Sequence, residues 1–377
     1  MQYDWSGSVE PVDMNQSHHH RSTIVHESHR GIECAILANQ SCSEIHLVAT
    51  PEDGESVAEL CRRVVVLCGQ RGVGIVSMTT FIPPGEAEFM GEEPKWPITR
   101  LRAVSGAGGV VAYALSDHPL QTLRHEGQVV GNVYEIDGAR YCRLAGVLPA
   151  RESVDAAEEA GAVFEQMEGV LRTADFRFRD VIRTWFFNGD IIAWYDTFNR
   201  TRDAFFAERE IRGAAAPAST GIGIVNQAGR ALTAELLAVT GGGVKRTVVP
   251  SPLQCSAVDY GSSFSRALEL ETVSRRTLYI SGTASIAPDG RTEFVGDAEK
   301  QIALTMRVVE ALLGSRGMTW SDTVRAIAFF KHISDLHHFR SYCESHGLGT
   351  LPVLSVRADV CRPELLFEVE LEAAVCK

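Results

Sequence analysis

The chain has 377 residues, with 36 Lys and Arg against 48 Asp and Glu, a formal charge of −12. Hydrophobic residues make up 45% and charged residues 22%, which excludes a disordered chain, a collagen-like fibre and a small disulfide-stapled domain. The length exceeds what one hydrophobic core usually supports, so two or three core units are expected. The acidic balance argues against a general binder of nucleic acid or anionic membranes.

In chain order, residues 1–24 read as a polar tail carrying His18, His19 and His20, with no further ligand at fixed spacing to complete a metal site. No secretory signal and no membrane-length apolar run is seen. The nine cysteines are irregularly spaced and form no CxxC pair, the usage of reduced cytosolic thiols. A cytoplasmic location with no membrane partner is therefore expected.

One pattern then occurs three times: an apolar strand, a Gly/Pro/Asp loop, a long amphipathic helix and a second apolar strand. Copy one runs IHLVA (45–49), TPEDGES, a helix over 57–72 and GIVSMTTFI (74–82). Copy two runs YCRLAGV (141–147), a helix over 155–171 and DVIRTWFF (180–187). Copy three runs TLYISGTAS (277–285), a helix over 297–313 and DTVRAIAFF (322–330). In the third helix Ile302, Met306, Val309 and Leu312 recur at helical spacing. Copies two and three continue with a further helix, over 191–208 and 335–347, and two more strands. Copy one degenerates after Ile82 into PPGEAEFMGEEPKW, with GGVVAYAL as its candidate closing strand.

This order predicts an α+β fold in which helices cover one face of each sheet. The expected division is a tail at 1–24, a divergent unit at 25–135, a second unit at 136–250 and a third at 251–377. Three such units in one chain predict an intramolecular pseudo-trimer, as a monomer or as a further homo-oligomer, with ligand sites in the clefts between units.

SGTASIAPDGRTEFVGDAEKQ, WSDTVRAIAFF and ELLFEVELEA resemble the Rid superfamily, whose chorismate-mutase-like modules form trimers and hydrolyse enamines and imines between subunits. WYDTFNRTR (194–202), PASTGIG (217–223), YGSSFSRA (260–267) and VCRPELLFEVE (360–370) together resemble the chorismatases, built on Rid-like modules. The likeness is good over 139–375 and weak over 25–130. Rid deaminases carry an arginine 15 residues before the active-site glutamate. Counting back from Glu368 and Glu235 gives Val353 and Thr220, a departure that weighs against imine hydrolysis.

Glu368, Glu370 and Glu372 alternate with Val369 and Leu371, so all three share one strand face. That face is either solvated, or Glu368 enters a cleft where an apolar pocket raises its pKa and suits it to act as an acid. By resemblance Glu368 is the acid that protonates the enolpyruvyl methylene of chorismate. Cys361 is either a small buried residue or a site-lining group that steers the product; no histidine nearby in sequence suggests a covalent nucleophile. Arg266 and Arg143 are candidates for the substrate carboxylates, with Tyr260 as a hydroxyl donor. Ser219 and Thr220 suit a carboxylate or hydroxyl contact, and Gly282, Thr283 and Ala284 would let a ring approach the backbone. Asn199 and Arg202 lie on the helix with Trp194, Tyr195 and Phe198, and a capping or packing role is favoured there over ligand contact.

The resemblance implies a small anionic substrate, chorismate or a similar carboxylate. It implies pyruvate and a hydroxybenzoate or dihydroxycyclohexadiene carboxylate as products, with no metal or organic cofactor and no nucleic-acid partner. The alternatives are a Rid-type imine, enamine or carbamate hydrolase and a non-catalytic Rid-like binder of small molecules.

Overall fold

A computed structural model describes residues 24–38, 42–86, 94–103, 108–116, 118–256 and 263–377. The histidine run at 18–20 and Tyr260 lie outside these residues. Three six-stranded sheets share one strand order. The first contains β1 (Ile24–His29), β2 (Ile32–Ala38), β3 (Ser43–Ala49), β4 (Val73–Ile82), β5 (Ile98–Arg102) and β6 (Gly109–Ser116), ordered β1-β2-β3-β6-β4-β5. The second repeats this with β7 (Gln121–His125), β8 (Gln128–Ile136), β9 (Ala139–Val147), β10 (Val181–Asn188), β11 (Ala218–Gly223) and β12 (Leu232–Gly241). The third uses β13 (Lys245–Val249), β14 (Ala267–Glu271), β15 (Arg275–Ala284), β16 (Thr323–Phe330), β17 (Val353–Arg357) and β18 (Phe367–Cys376).

Each unit therefore opens two strands earlier than its sequence pattern indicates. The boundaries expected at 135/136 and 250/251 would separate β7 and β8 from the sheet they complete, and β13 from β14, its antiparallel partner. The sheets divide the chain between Ser116 and Gln121 and between Gly241 and Lys245.

The helices α1 (Val57–Gln70), α2 (Ala156–Thr173), α3 (Ile191–Glu208), α4 (Ala298–Gly314) and α5 (Leu336–Ser345) cover the outer sheet faces. Ser56, Asp155 and Asp297 start α1, α2 and α4 by accepting backbone N–H bonds with their side chains. The inner faces of all three sheets meet in one core, where Phe81 and Tyr113 join Tyr141 and Trp185 and Ile327 and Phe329. Main-chain bonds stitch the units together: Gly223 and Asp359 exchange N–H···O bonds of 2.7 and 2.9 Å, and Ser265 donates to the Pro217 carbonyl at 2.9 Å. The result is the expected α+β pseudo-trimer within one chain. All nine cysteines are free thiols. Among the described residues no helix is long and apolar enough to cross a membrane.

A bulge in the second long strand of each unit supplies a common reference step. From it, Phe81 pairs with Gly109, Phe187 with Thr233 and Phe329 with Glu368. Trp185 pairs with Glu235 at the step where Ile327 pairs with Glu370. Glu235 is thus the counterpart of Glu370, not of Glu368. The edge-strand position matching Val353 is Ser219 rather than Thr220, since Thr184 and Ala326 occupy the same step. An arginine is absent at that step whichever way the count is made.

Candidate active site

The three glutamates of β18 all point inward. Val369, Leu371 and Ala373 face the helices and belong to the third unit's own core. Period two then turns Glu368, Glu370 and Glu372 to the inter-unit side, where each is buried. The solvated alternative is excluded.

Glu368 is 5% exposed and borders a cavity of about 690 Å³ between the second and third units. One wall is α3, kinked at Trp194, which contributes Tyr195, Phe198, Asn199 and Arg202. Ser219 and Gly221 come from β11, Gly282 and Ala284 from β15, and Phe264, Arg266, Cys361 and Arg362 from the loops. Strand alternation explains which predicted residues reach this space. Ser219, Gly282, Ala284, Arg266, Cys361 and Glu368 line it. Thr220 and Thr283 do not; they lie one step along their strands. The Thr283 hydroxyl donates to the Ser281 carbonyl at 2.8 Å. Arg143 is also elsewhere. It lies in the central core, 5.6 Å from the Tyr113 ring centre and 5.2 Å from that of Trp185, because its step on β9 faces the axis.

Gly282 has a more direct function than admitting a ring. A Cβ at this position would lie 2.1 Å from Glu368 Oε1 and 2.9 Å from its Cδ. The missing side chain is the space the carboxyl group occupies. Burial pushes the Glu368 pKa up to about 8 from an ordinary value of 4.5; the charge of Glu370 adds to this, while Arg183 and Arg266 oppose it. Glu368 is therefore mostly a neutral acid at pH 7. Burial, and then the charge of Glu368, pushes the Cys361 thiol up to about 12, and the Tyr195 hydroxyl bonds to it. Cys361 is a protonated thiol here, unsuited to act as a thiolate nucleophile.

Two buried guanidinium groups flank Phe264. Arg202, 3% exposed, lies 6.0 Å from that ring centre and 5.4 Å from that of Phe198. Its Nη2 donates to Asn199 Oδ1 at 2.8 Å. Arg266, 4% exposed, lies 5.8 Å from the Phe264 ring and donates through Nε to the Cys255 carbonyl at 3.0 Å. The packing assignment of Arg202 and Asn199 was thus incomplete, since both also line the cavity. The available signal was the spacing of Tyr195, Asn199 and Arg202, which puts three polar groups on one helical stripe. Among the described residues no three His, Cys, Asp or Glu side chains form a metal-binding group.

Comparison with known proteins agrees with this architecture. Residues 256–375, the third unit, match the family model Endoribonuclease L-PSP. A curated protein, 3-hydroxybenzoate synthase from Streptomyces hygroscopicus, is 27% identical over 273 residues, which is 65% of this chain and 76% of that protein. A crystal structure of a chorismatase superposes with a TM-score of 0.64 at 21% identity, covering 79% of this chain and 92% of the other. YyfA of the Rid protein family, from Yersinia pestis, aligns at 24% identity with a TM-score of 0.29, over 35% of this chain and all of its own length. The third unit is thus similar to the Endoribonuclease L-PSP family, and the chain shares the fold of a solved chorismatase. The cavity combines a neutral carboxylic acid with two buried guanidinium groups, a set able to hold an anion and deliver a proton to it.

Proposed function

We propose that the chain cleaves the enolpyruvyl ether of chorismate, with Glu368 as the acid. The observation that carries this reading is the neutral, buried Glu368 carboxyl facing an arginine-lined cavity. Chorismate bears two carboxylates, and Arg202 and Arg266 supply two guanidinium groups to bind them. Transfer of the Glu368 proton to the enolpyruvyl methylene carbon consumes the C=C π bond, makes a methyl group and leaves an oxocarbenium ion at the ether carbon. A general acid with a pKa near the working pH is well matched to this step. Capture by water, then collapse of the hemiketal, breaks the bond to the ring oxygen and yields pyruvate and a dihydroxycyclohexadiene carboxylate, consuming one water. Capture by the neighbouring ring hydroxyl releases its proton and forms a cyclic ketal; breaking one ring C–O bond and one ketal C–O bond, with loss of a ring proton, then yields a hydroxybenzoate and pyruvate, with no net water. Protons released in either sequence restore Glu368.

The β11 residues facing Glu368 are Ser219 and Gly221, which disfavours Rid-type imine hydrolysis because no arginine holds a substrate carboxylate there. Cys361, hydrogen-bonded by Tyr195 at the cavity wall, would on this reading influence which nucleophile captures the cation. The test is to incubate the purified chain with chorismate and follow pyruvate and the ring product. No pyruvate, together with turnover of an imine substrate, would overturn the proposal. Cys361→Ala is expected to change the hydroxybenzoate-to-diol ratio at least threefold, read by chromatography of the products. Arg266→Lys and Arg202→Lys are each expected to raise KM by about 10- to 100-fold, the scale of one charge-assisted hydrogen bond, with kcat less affected.

A further inference from the structure

Behind Glu368, on the side turned away from the cavity, the second unit reaches into the third through two fully buried groups, Arg183 and Thr220. We infer that Glu370, held by Arg183 and Thr220, is a positioning residue that fixes the Glu368 carboxyl in its slot and in its acid form; this rests on the reading of Glu368 as the acid.

The geometry is continuous from one unit to the other. Glu370 Oε2 accepts hydrogen bonds from Arg183 Nη2 and from Thr220 Oγ1, each 2.5 Å long. Its Oε1 accepts from Arg325 Nη2. Two guanidinium groups, one from each unit, thus share this single carboxylate. Thr220 Oγ1 also accepts from Arg183 Nη2 at 2.6 Å and from the Gly282 N–H at 3.1 Å. One donor and two acceptor positions exhaust what a hydroxyl offers. Thr220 therefore ties the backbone of Gly282, against which Glu368 rests, to the anion of Glu370.

Glu370 lies two residues from Glu368 on the same strand face, so their carboxyl groups are neighbours in a dry interior. Two such groups do not both ionise readily, and the one without a guanidinium hydrogen bond among those described keeps its proton. The charged or titratable groups around Glu368 are Glu370 on its own strand, Arg183 from β10, Arg266 before β14, Cys361 and Arg362 before β18, and, across the cavity on α3, Tyr195, Asp196, Arg200, Arg202 and Asp203. Burial is the largest cause that favours the acid form of Glu368, and Glu370, directly behind it on the strand, is the next.

The experiment titrates Glu368 directly, without substrate. Infrared spectra recorded across pH 5–10 follow the C=O stretch of the protonated carboxyl, assigned by difference against Glu368→Gln. Glu370→Gln is expected to lower the Glu368 midpoint by more than one pH unit. The alkaline limb of kcat for pyruvate release should move down with it, with KM within threefold. Arg183→Met leaves Glu370 paired with Arg325 and removes a cation facing Glu368, so its midpoint is expected to rise. A folded variant of either kind with an unchanged midpoint would overturn the inference. If Glu370→Gln does not fold, Arg183→Met alone decides it. A normal titration without turnover of chorismate would instead sink the ether-cleavage reading and leave the positioning device standing.

Discussion

Glu368→Gln is expected to lower pyruvate release from chorismate at least about a thousandfold, the upper range for loss of a general acid, with substrate affinity little changed. The same substitution should make the protein more stable at alkaline pH. The folded-state pKa of Glu368, about 8, lies above its ordinary value of 4.5, so the folded chain binds a proton more tightly than the unfolded chain. The stability from this linkage is fully present below about pH 4.5 and is lost as pH rises through 8. Above that, folding retains a buried carboxylate in an unfavourable place. Glutamine has nothing to ionise, so on going from pH 5 to pH 9 the variant should gain on the wild type by on the order of 4 kcal/mol. Thermal unfolding of both proteins at pH 5 and pH 9 checks this. Equal differences at the two values would mean that Glu368 ionises normally. The pH profile of the wild type follows from the same pKa, with turnover expected to fall off on the alkaline side near pH 8.

Gly282→Ala should lower turnover about a hundredfold while leaving the fold intact. The added methyl would occupy the place of Glu368 Oε1. What stands there is the end of a flexible side chain, so the protein accommodates the methyl by swinging the carboxyl aside. The cost in stability is therefore small, and Tm should stay within a few degrees of the wild type. The cost in chemistry is large, because a displacement of about 1 Å at a reacting group is worth about a hundredfold. Full activity in Gly282→Ala would show that the carboxyl does not act from its observed position.

The sequence made the threefold plan visible because α1, α2 and α4 each bury a periodic apolar stripe. It hid the opening strands of each unit for a physical reason. β1, β7 and β13 are sheet edges, and their IVHESH, QTLRH and KRTVV carry the charged and polar residues that protect an exposed edge. The alternation of Glu368, Glu370 and Glu372 showed that they share a face, but burial of that face is decided by Ser219 and Thr220, far away in the chain. Arg143 and Arg266 looked equivalent as isolated arginines. Only the register of β9 against β12 sends the first to the axis. Arg202 stayed concealed because a helix rich in aromatics reads as core from one side and as a cavity wall from the other.

At the step held by Glu368, the other two units present Thr233 and Gly109. A ring of three identical subunits must carry the same residue in every cleft, so any change to one is imposed on all. Covalent fusion lifts that constraint and allows two clefts to drift into mortar while the third keeps its chemistry. A calorimetric titration with an unreactive chorismate analogue should accordingly saturate at one equivalent per polypeptide, with a simple hyperbolic isotherm.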